Sequence, residues 1–143
     1  MRARRTPVQL IVEAIVHKVL MSSKIHRAVI TDANLHYVGS MTVDSDLMDL
    51  AQMVEYEQVH VVDVESGSRF VTYLIRGEAG TGVMCANGAA ARLVQPGDHV
   101  IVLAYGMFDE SDAKDHSPVV VHVDEFNRPL ASASNPVDDG AGN

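Results

Sequence analysis

The sequence predicts a mostly β protein that closes into a small barrel, and three observations support this prediction. Short stretches rich in β-branched and aromatic residues recur along the chain, as in residues 58–64 and 69–75. Turn-forming residues separate these stretches, and only two short segments show helical spacing. The length of 143 residues suits one domain, in which closure of about six or seven short strands would remove exposed sheet edges.

The first strand is expected at residues 23–31, where the side chains alternate between two faces. This alternation places Lys24 and His26 on the same face. Residues 36–43 are also rich in β-forming types, although Gly39 interrupts them. We therefore expect two early strands, the second of which is broken at its glycine.

The next segment, residues 44–54, changes to a helical period. The apolar residues at helical spacing are Leu47, Leu50, Ala51 and Val54. Either Asp44 or Asp46 can cap the start of this short helix. Residues 58–64 and 69–75 then form the two strands of a hairpin, because a glycine-containing loop separates them.

The second half of the chain continues the β pattern. Residues 78–86 are glycine-rich and then extended, and Asn87 precedes a short helix. Residues 98–108 form a strongly apolar strand. The polar residues 109–117 are expected to be a loop, and residues 118–126 to contain a late strand.

The chain is acidic, with a formal net charge of −8 at pH 7 and a pI of about 5.2. Nucleic-acid binding needs a basic face, so a nucleic-acid partner is not expected. No apolar run in the sequence is long enough to span a bilayer, and no membrane partner is expected either. An anionic ligand therefore has to be attracted by a local group of Lys and Arg side chains.

The N-terminal residues 1–17 are interpreted as an extension of the domain. Arginines followed by apolar residues imitate a signal peptide, but Glu13 and Lys18 interrupt the apolar part and no small-residue cleavage site follows. We therefore expect a cytoplasmic protein, which fits the presence of a single cysteine, Cys85. Cys85 itself is expected to be a small buried apolar residue, and the polar tail 129–143 is expected to be disordered.

No metal site is predicted from the sequence. The seven histidines are scattered, without an HExxH motif or a ligand pair on one helix face. The acidic residues 44–49 lack the glycine and the closing glutamate of a calcium loop, and helix capping explains them. The glycine-rich residues 77–83 lack the Lys-Ser/Thr pair that completes a phosphate-binding loop.

Three small groups of residues remain as candidates for chemistry. Arg69 and Tyr73 lie on one strand face, where an arginine can bind a carboxylate and a tyrosine can donate a proton. Lys24 and His26 form a second polar pair. The third group is the start of the short helix after Asn87, whose free N–H groups suit an oxygen anion. Each group also has a structural interpretation: solvated strand faces for the pairs and a capped helix for the third.

Five segments follow one another along the chain: SKIHRA, LHYVGSMTVDSDLMD, RFVTYLI, GEAGTG and NGAAARLVQPGD. Taken together, these segments resemble the pyruvoyl-dependent aspartate 1-decarboxylases, bacterial enzymes that make β-alanine for pantothenate biosynthesis. The resemblance covers residues 18–128, and the matching segments occur in the order seen in the family. Agreement of several segments in both order and spacing makes the resemblance highly specific.

The resemblance implies a double-psi β-barrel that assembles as a homotetramer, with active sites between neighbouring subunits. It also implies that the chain cuts itself between Gly39 and Ser40, which yields chains 1–39 and 40–143. Ser40 then becomes a pyruvoyl group, which forms a Schiff base with L-aspartate and does the work that PLP does in other decarboxylases. The implied reaction is the decarboxylation of L-aspartate to β-alanine and CO2.

Carried over position by position, the resemblance also assigns roles to the candidate residues. Arg69 holds the α-carboxylate of the substrate, Lys24 holds its side-chain carboxylate, and Tyr73 donates a proton. Thr72 assists processing and contributes to substrate binding, although simple alternation places it on the strand face opposite Arg69 and Tyr73. Asn87 supports a pocket lined by the backbone N–H groups of Gly88, Ala89 and Ala90, and His26 and Tyr37 lie nearby in less defined roles.

Two features depart from the family pattern, the N-terminal extension and Ala79, which stands where many relatives have a basic residue. The alternative function is an uncleaved, non-catalytic small-ligand-binding barrel. The unchanged Ser40, Lys24 and Arg69 speak against it, because a retired enzyme is expected to lose some of these residues. A hydrolase that uses Ser40 as its nucleophile lacks a local His–Asp partnership. Whether a maturation factor is needed stays open.

Overall fold

Eight β-strands make up most of the computed structural model, which describes residues 16–131. They are β1 (His17–Val29), β2 (Asp32–Asn34), β3 (Ser40–Asp44), β4 (Gln58–Asp63), β5 (Arg69–Gly77), β6 (Met84–Asn87), β7 (His99–Asp109) and β8 (Val119–His122). The same residues contain two short α-helices and one 3-10 helix. They are α1 (Ser45–Leu50), α2 (Glu110–Lys114) and the 3-10 helix Gly88–Arg92. The predicted mostly β class with short helices is confirmed.

The eight strands form one mixed sheet in the order β2-β6-β3-β5-β4-β7-β1-β8. The pairs β1 with β8, β2 with β6 and β3 with β5 are parallel, and the other neighbours are antiparallel. This order places strands from both halves of the chain next to each other. The sheet encloses one continuous apolar core, in agreement with the predicted small β-barrel.

Alternation along the strands produces the core. In β7, Val100, Val102 and Ala104 are completely buried, and the residues between them are half-buried. In β4, Val59 and Val61 follow the same period of two. A shift of one residue in the register would expose these side chains, so the apolar pattern fixes how the strands pair.

A bulge in β1 changes the face on which its residues lie. Simple alternation groups Arg27 with Ile25, but Arg27 has a φ of 62° and the register with β7 shifts between Ile25 and Ala28. Ile25 and Ala28 are consequently both completely buried. The sequence-based alternation is wrong after Ile25, because a bulge places an extra residue in one of two paired strands.

The strand expected at residues 36–43 begins only at Ser40. Residues 35–39 form a turn and a bend instead, and the large apolar side chains within them are exposed. Local β propensity is therefore not supported by packing in this segment. The correction affects the site directly, because Gly39 lies in the turn whereas Ser40 belongs to the sheet.

Two further elements differ from the sequence-based expectation. The short strand β2, which pairs with β6, was not anticipated by any pattern. The polar residues 109–117, expected to be a loop, contain helix α2. The carboxylate of Asp109 accepts a hydrogen bond from the N–H of Asp112 at 2.8 Å and caps this helix. An aspartate cap with acidic residues in the first turn stabilises a helix even without an apolar face.

The predictions for the ends of the chain fall mostly outside the described residues. Of the expected N-terminal extension, residues 1–17, the structure describes only Val16 and His17. Of the expected disordered tail, residues 129–143, it describes only residues 129–131. Within residues 16–131, every helix is too short or too polar to cross a membrane.

Asp44 connects helix α1 to the glycine-rich segment before β6. Its Oδ1 accepts hydrogen bonds from the N–H groups of Asp46 at 2.8 Å and Gly80 at 3.1 Å, and its Oδ2 accepts from Gly82 at 2.8 Å. Of the two aspartates considered as the helix cap, Asp44 is the one that caps α1. These bonds hold the end of β3 against the segment that leads into β6.

A buried carboxyl group closes the hairpin loop between β4 and β5. Asp63 is completely buried, and its Oδ1 accepts from the N–H groups of Glu65 and Ser66 at 2.9 and 3.0 Å. Its Oδ2 meets no N–H donor among the described residues but lies close to the carboxyl group of Asp98. Burial raises the pKa of Asp63, and the neighbouring carboxyl group of Asp98 acts in the same direction, whereas the pKa of Asp98 is lowered. Asp63 is therefore the carboxyl group of this pair that takes up a proton first as the pH falls.

The raised pKa of Asp63 makes stability depend on pH. A carboxyl group whose pKa is higher in the folded chain stabilises the fold below its unfolded pKa, and this contribution is lost as the pH rises through the folded pKa. Asparagine at position 63 keeps the accepting oxygen and supplies an N–H donor that does not titrate. We expect Asp63→Asn to raise the melting temperature by several degrees at about pH 8, and the difference to shrink towards about pH 4.

The matched control is Asp115→Asn, which removes the same charge at an exposed position. Both variants are compared with the wild-type chain by thermal unfolding in the presence of a chelator, so that no divalent cation replaces the proton. A stability difference for Asp63→Asn that does not change with pH, or that Asp115→Asn reproduces, would contradict a raised pKa of Asp63 in the folded chain.

Candidate active site

Ser40 is buried although the glycine before it is exposed. It is the first residue of β3, is 1% exposed, and lies directly opposite Asn87 of the antiparallel strand β6. Its hydroxyl donates a hydrogen bond to the carbonyl oxygen of Val38 at 3.2 Å. The hydroxyl group is thus held where an exposed turn meets a buried strand, on the residue whose backbone nitrogen is bonded to the Gly39 carbonyl.

The side-chain amide of Asn87 is the second hydrogen-bond partner of this serine. Its Nδ2 donates to the hydroxyl oxygens of Ser40 at 3.0 Å and Thr42 at 2.8 Å. Its Oδ1 accepts from the thiol of Cys85 at 3.3 Å. Asn87 is 2% exposed, and both its Nδ2 and its Oδ1 have hydrogen-bond partners, as buried polar groups require.

The strand alternation explains why these four residues meet. In β3, Ser40 and Thr42 lie on one face while Met41 points into the core, and in β6 the residues Cys85 and Asn87 alternate with core residues in the same way. Because Ser40 pairs with Asn87 and Thr42 pairs with Cys85, the four polar side chains form one group on a single sheet face. The side chain of Asn87 consequently does not cap the 3-10 helix that follows it.

Gly88 packs directly against the backbone of the turn that contains Gly39. Its φ is 67°, and a Cβ atom at this position would lie 2.6 Å from the Cα of Gly39 and 3.1 Å from the carbonyl oxygen of Tyr37. Both atoms belong to the backbone and have little room to move. The glycine is therefore required for close approach as well as for its backbone conformation.

A cavity with a volume of about 360 Å³ opens beside Gly39 and Asn87. Its other lining residues are Phe70, Val71, Thr72, Tyr73, Ala89, Ala90 and Leu93. The cavity therefore brings together five of the residues predicted from the sequence with the glycine of the Gly39–Ser40 pair. The role expected for the backbone N–H groups of the 3-10 helix remains a prediction.

The cavity follows one edge of β5 rather than one face. Residues 69–73 of β5 pair with β4, whereas pairing with β3 on the other edge begins only at Leu74. Side chains from both faces of a strand can reach an edge that has no paired neighbour. Thr72 and Tyr73 consequently line the same cavity, although alternation alone separates them.

Four of the predicted site residues lie elsewhere in the described chain. Arg69 is exposed, with its Nη1 3.3 Å from Nδ1 of His60. His26 is buried, and its ring centroid lies 5.4 Å from that of His122. Lys24 lies on β1, and Tyr37 is exposed beside a second cavity, on which Asn87 also borders. A single chain therefore does not assemble all of the predicted side chains around the cavity of Tyr73.

The cationic side chains of one chain are not gathered at this cavity either. Within residues 16–131, no Lys or Arg lines the cavity that contains Thr72 and Tyr73. Binding of a dicarboxylate needs cationic or N–H donors to replace the lost water. Among the described residues, the cavity of one chain supplies hydroxyl, amide and backbone groups but no cationic side chain.

Two residues of the hydrogen-bonded group were missed by the sequence-based reasoning. Thr42 was not considered, and Cys85 was interpreted as an apolar core residue. Cys85 is indeed buried, but its S–H donates to Asn87. The spacing contained the signal, because Thr42 is two residues from Ser40 and Cys85 is two residues from Asn87, and residues i and i+2 share a strand face.

Comparison with known proteins gives a consistent result. The sequence model of the family described as aspartate decarboxylase matches residues 16–130. The chain is 53% identical over 117 residues to an aspartate 1-decarboxylase of Heliobacterium modesticaldum, covering 82% of this chain and 89% of that protein. It is 59% identical over 109 residues to an aspartate 1-decarboxylase of Acetivibrio thermocellus, covering 76% of this chain and 86% of that protein.

The close approach of Gly88 to Gly39 leads to a stability prediction. Gly88→Ala forces an alanine into a left-handed conformation and pushes its Cβ against backbone atoms. We expect the free energy of unfolding to fall by about 3 kcal/mol or more, the sum of backbone strain and overpacking. Denaturant titration measures this loss, with Ser40→Ala present in every chain that is compared.

The matched control is Gly67→Ala. Gly67 also has a positive φ, 79°, but no atom lies within 4 Å of a Cβ placed there. We expect it to lose only the backbone strain, about 1 kcal/mol. Equal losses for the two variants would show that the contact with Gly39 has no energetic importance.

Proposed function

Because the chain belongs to the aspartate decarboxylase family, we propose that it converts L-aspartate to β-alanine and CO2 with a pyruvoyl group made from its own Ser40. The observation that carries this proposal is the position of Ser40. It is buried, its hydroxyl is held by Asn87 at 3.0 Å, and the cavity of Thr72 and Tyr73 begins at the neighbouring Gly39. The β-alanine would serve pantothenate biosynthesis.

The surroundings of Ser40 fit a pyruvoyl group. Such a group has no charge and offers two carbonyl oxygens, which need hydrogen-bond donors. The Nδ2 of Asn87, which donates to Oγ of Ser40 in the uncut chain, would lose this acceptor when Oγ leaves with Gly39 and would then be available to one of these carbonyl oxygens. Cleavage after Gly39 would leave residue 40 as the start of β3, with its side chain next to the cavity.

Self-cleavage converts one peptide bond and one water molecule into two chains and ammonia. The Ser40 hydroxyl oxygen attacks the carbonyl carbon of Gly39, the amide nitrogen leaves with a proton, and an ester forms. Loss of the Cα proton and departure of the Gly39 carboxylate leave dehydroalanine at position 40. Its imine tautomer takes up water and releases ammonia. The products are chain 1–39 and chain 40–143 with a pyruvoyl start.

The residues around Ser40 support the first of these steps. Gly39 has no side chain, so its carbonyl carbon is open to attack from the adjacent hydroxyl. The oxyanion that develops needs a hydrogen-bond donor, and we assign this role to Thr72, which lines the cavity beside Gly39. Asn87 holds the attacking oxygen in place.

The pyruvoyl group would accept the electron pair that remains on the substrate when CO2 leaves. The proposal therefore needs neither PLP nor a metal. Tyr73 then donates a proton to the Cα of the product. Its position in the cavity that starts at Gly39 supports this role. We further propose that the N–H groups of Gly88, Ala89 and Ala90 bind substrate oxygen atoms.

The two substrate carboxylates require cations that the cavity of one chain lacks. We propose that a neighbouring copy supplies them, with Arg69 binding the α-carboxylate and Lys24 the side-chain carboxylate. The exposure of Arg69 and the location of Lys24 on a strand remote from β3 in the sheet order support this view. The assembly is then a homo-oligomer, which we propose is a tetramer, with His26 and Tyr37 near the shared site.

We place this reaction in the cytoplasm, where aspartate is available and a free buried cysteine such as Cys85 is stable. A maturation factor is not part of the proposal, because the self-cleavage steps need only the chain and water.

Loss of the Ser40 hydroxyl should abolish both cleavage and activity. We expect Ser40→Ala to remain a single chain without decarboxylase activity, because neither the attacking oxygen nor the precursor of the cofactor is present. Denaturing gels and intact mass should show two fragments for the wild-type chain, with the larger one lighter by one ammonia than a chain that starts with serine.

Ser68→Ala is the matched control, since Gly67-Ser68 is the second Gly-Ser pair and lies in the hairpin loop before β5. This variant should be cut and active like the wild-type chain. A wild-type chain that stays whole and inactive after prolonged warming would overturn the proposal and favour an uncleaved ligand-binding barrel.

A second experiment tests the sharing of the site between copies. Lys24→Ala alone should be cut but bind aspartate poorly, and Ser40→Ala alone should be inactive. In oligomers formed by co-expression, some sites combine the cofactor of one chain with Lys24 of the other. We expect activity to return to about a quarter of the wild-type value for random mixing.

The control for this experiment is a mixture of the two variants purified separately and assayed immediately, before subunits can exchange between oligomers, and it should stay inactive. Aspartate turnover is measured at equal total chain concentration. If the co-expressed pair is no more active than the separate variants, the site is built within one chain and the sharing proposal fails.

A further inference from the structure

We propose that Cys85 is a positioning residue for self-cleavage, whose S–H group keeps the side-chain amide of Asn87 in the orientation that donates a hydrogen bond to Ser40. The inference rests on the proposed function, because it concerns the reaction of Ser40 with Gly39. It is carried by one group of contacts, the hydrogen bonds of Cys85, Ser40 and Thr42 to the same buried amide.

The amide of Asn87 can be placed in two orientations that occupy the same space. In the observed one, its Nδ2 donates to the two hydroxyl oxygens of Ser40 and Thr42, and its Oδ1 faces Cys85. Hydroxyl groups donate as well as accept, so they suit either orientation. A thiol is a donor but only a weak acceptor, so Cys85 is the partner that discriminates between the two.

Several features keep Cys85 in the form of a donor. Cys85 is 9% exposed, and this burial raises the pKa of its thiol. The charge of Asp32 raises the pKa further. The backbone N–H of Asn34 acts in the opposite direction but less strongly. The contact of Sγ with Oδ1 of Asn87 is 3.3 Å, shorter than its alternative contact with the carbonyl oxygen of Ala86 at 3.8 Å.

The orientation matters most when the ester is broken. In that step the bond between Cβ and Oγ of Ser40 breaks, and both bonding electrons stay on Oγ, which leaves as part of the Gly39 carboxylate. The Cα proton passes to water, and a double bond forms between Cα and Cβ. An N–H group of Asn87 at 3.0 Å from Oγ stabilises the growing negative charge, whereas a carbonyl oxygen in its place would repel it.

Two substitutions distinguish the effect of the S–H donor of Cys85 from the effect of its side-chain volume. Valine fills a similar space without a donor, and serine keeps a donor in a smaller and more polar side chain. Valine should suit the buried position better than serine does, because an extra polar group is costly in an apolar site. A merely structural role therefore predicts that Cys85→Ser is the more damaged variant, whereas the positioning role predicts the opposite.

We expect Cys85→Val to slow the appearance of the two fragments by about fivefold to tenfold, the effect of losing one hydrogen bond. Cys85→Ser should stay within about threefold of the wild-type rate. The ester should accumulate in Cys85→Val, which hydroxylamine reveals by cutting it to a hydroxamate at Gly39. The full chains are purified uncut soon after induction, and cleavage is followed by intact mass, with melting temperatures measured in parallel.

The outcomes distinguish this inference from the proposed function. A wild-type chain that never cuts itself overturns the proposed function and the inference with it. A wild-type chain that is cut, with equal rates for the valine and serine variants or with rates that follow their melting temperatures, overturns the role of Cys85 alone. Slow cleavage and a hydroxylamine-sensitive ester confined to Cys85→Val support it.

Discussion

The structure around the Gly39–Ser40 bond depends on keeping the side-chain amide of Asn87 fully hydrogen-bonded in a place that water does not reach. Leaving one buried donor or acceptor of this kind without a partner costs about 1–3 kcal/mol. Its partners lie on β3 and β6, so the register of these two strands and the geometry of the serine are linked. A slip of one residue would replace Ser40 by Met41 opposite the amide.

The topology of the sheet creates the remaining part of the site. Strand β3 lies between β5 and β6, which brings Ser40, Tyr73 and Asn87 together from separate parts of the chain. The delayed start of pairing between β3 and β5, at Leu74, leaves an edge of β5 open beside the turn. Gly88 then allows the backbone after β6 to pass against Gly39. A cavity, a buried hydroxyl and an exposed turn meet at one point for these reasons.

Charged side chains and hydrogen-bonding side chains are distributed differently around the Gly39–Ser40 bond. The chain has a net charge of −8, and among the described residues the cavity beside Gly39 has no cationic side chain. The hydrogen-bonded group around Ser40 lies within one chain, as the proposed cleavage within that chain requires. The proposed binding of a dicarboxylate calls for cations from a neighbouring copy. Under the proposed function, processing and substrate binding therefore make separate demands on the same surface.

The sequence by itself determined the mostly β class, the hairpin at residues 58–75 and the family, because alternation, turn residues and segment order are local properties. Through the resemblance it also predicted roles for Ser40 and Asn87. The tertiary structure decided the turn at residues 35–39, the bulge at Arg27 and the meeting of Thr72 with Tyr73. Each of these depends on which strand pairs with which edge, and on whether a β-forming side chain finds a core to pack against, neither of which a local pattern contains.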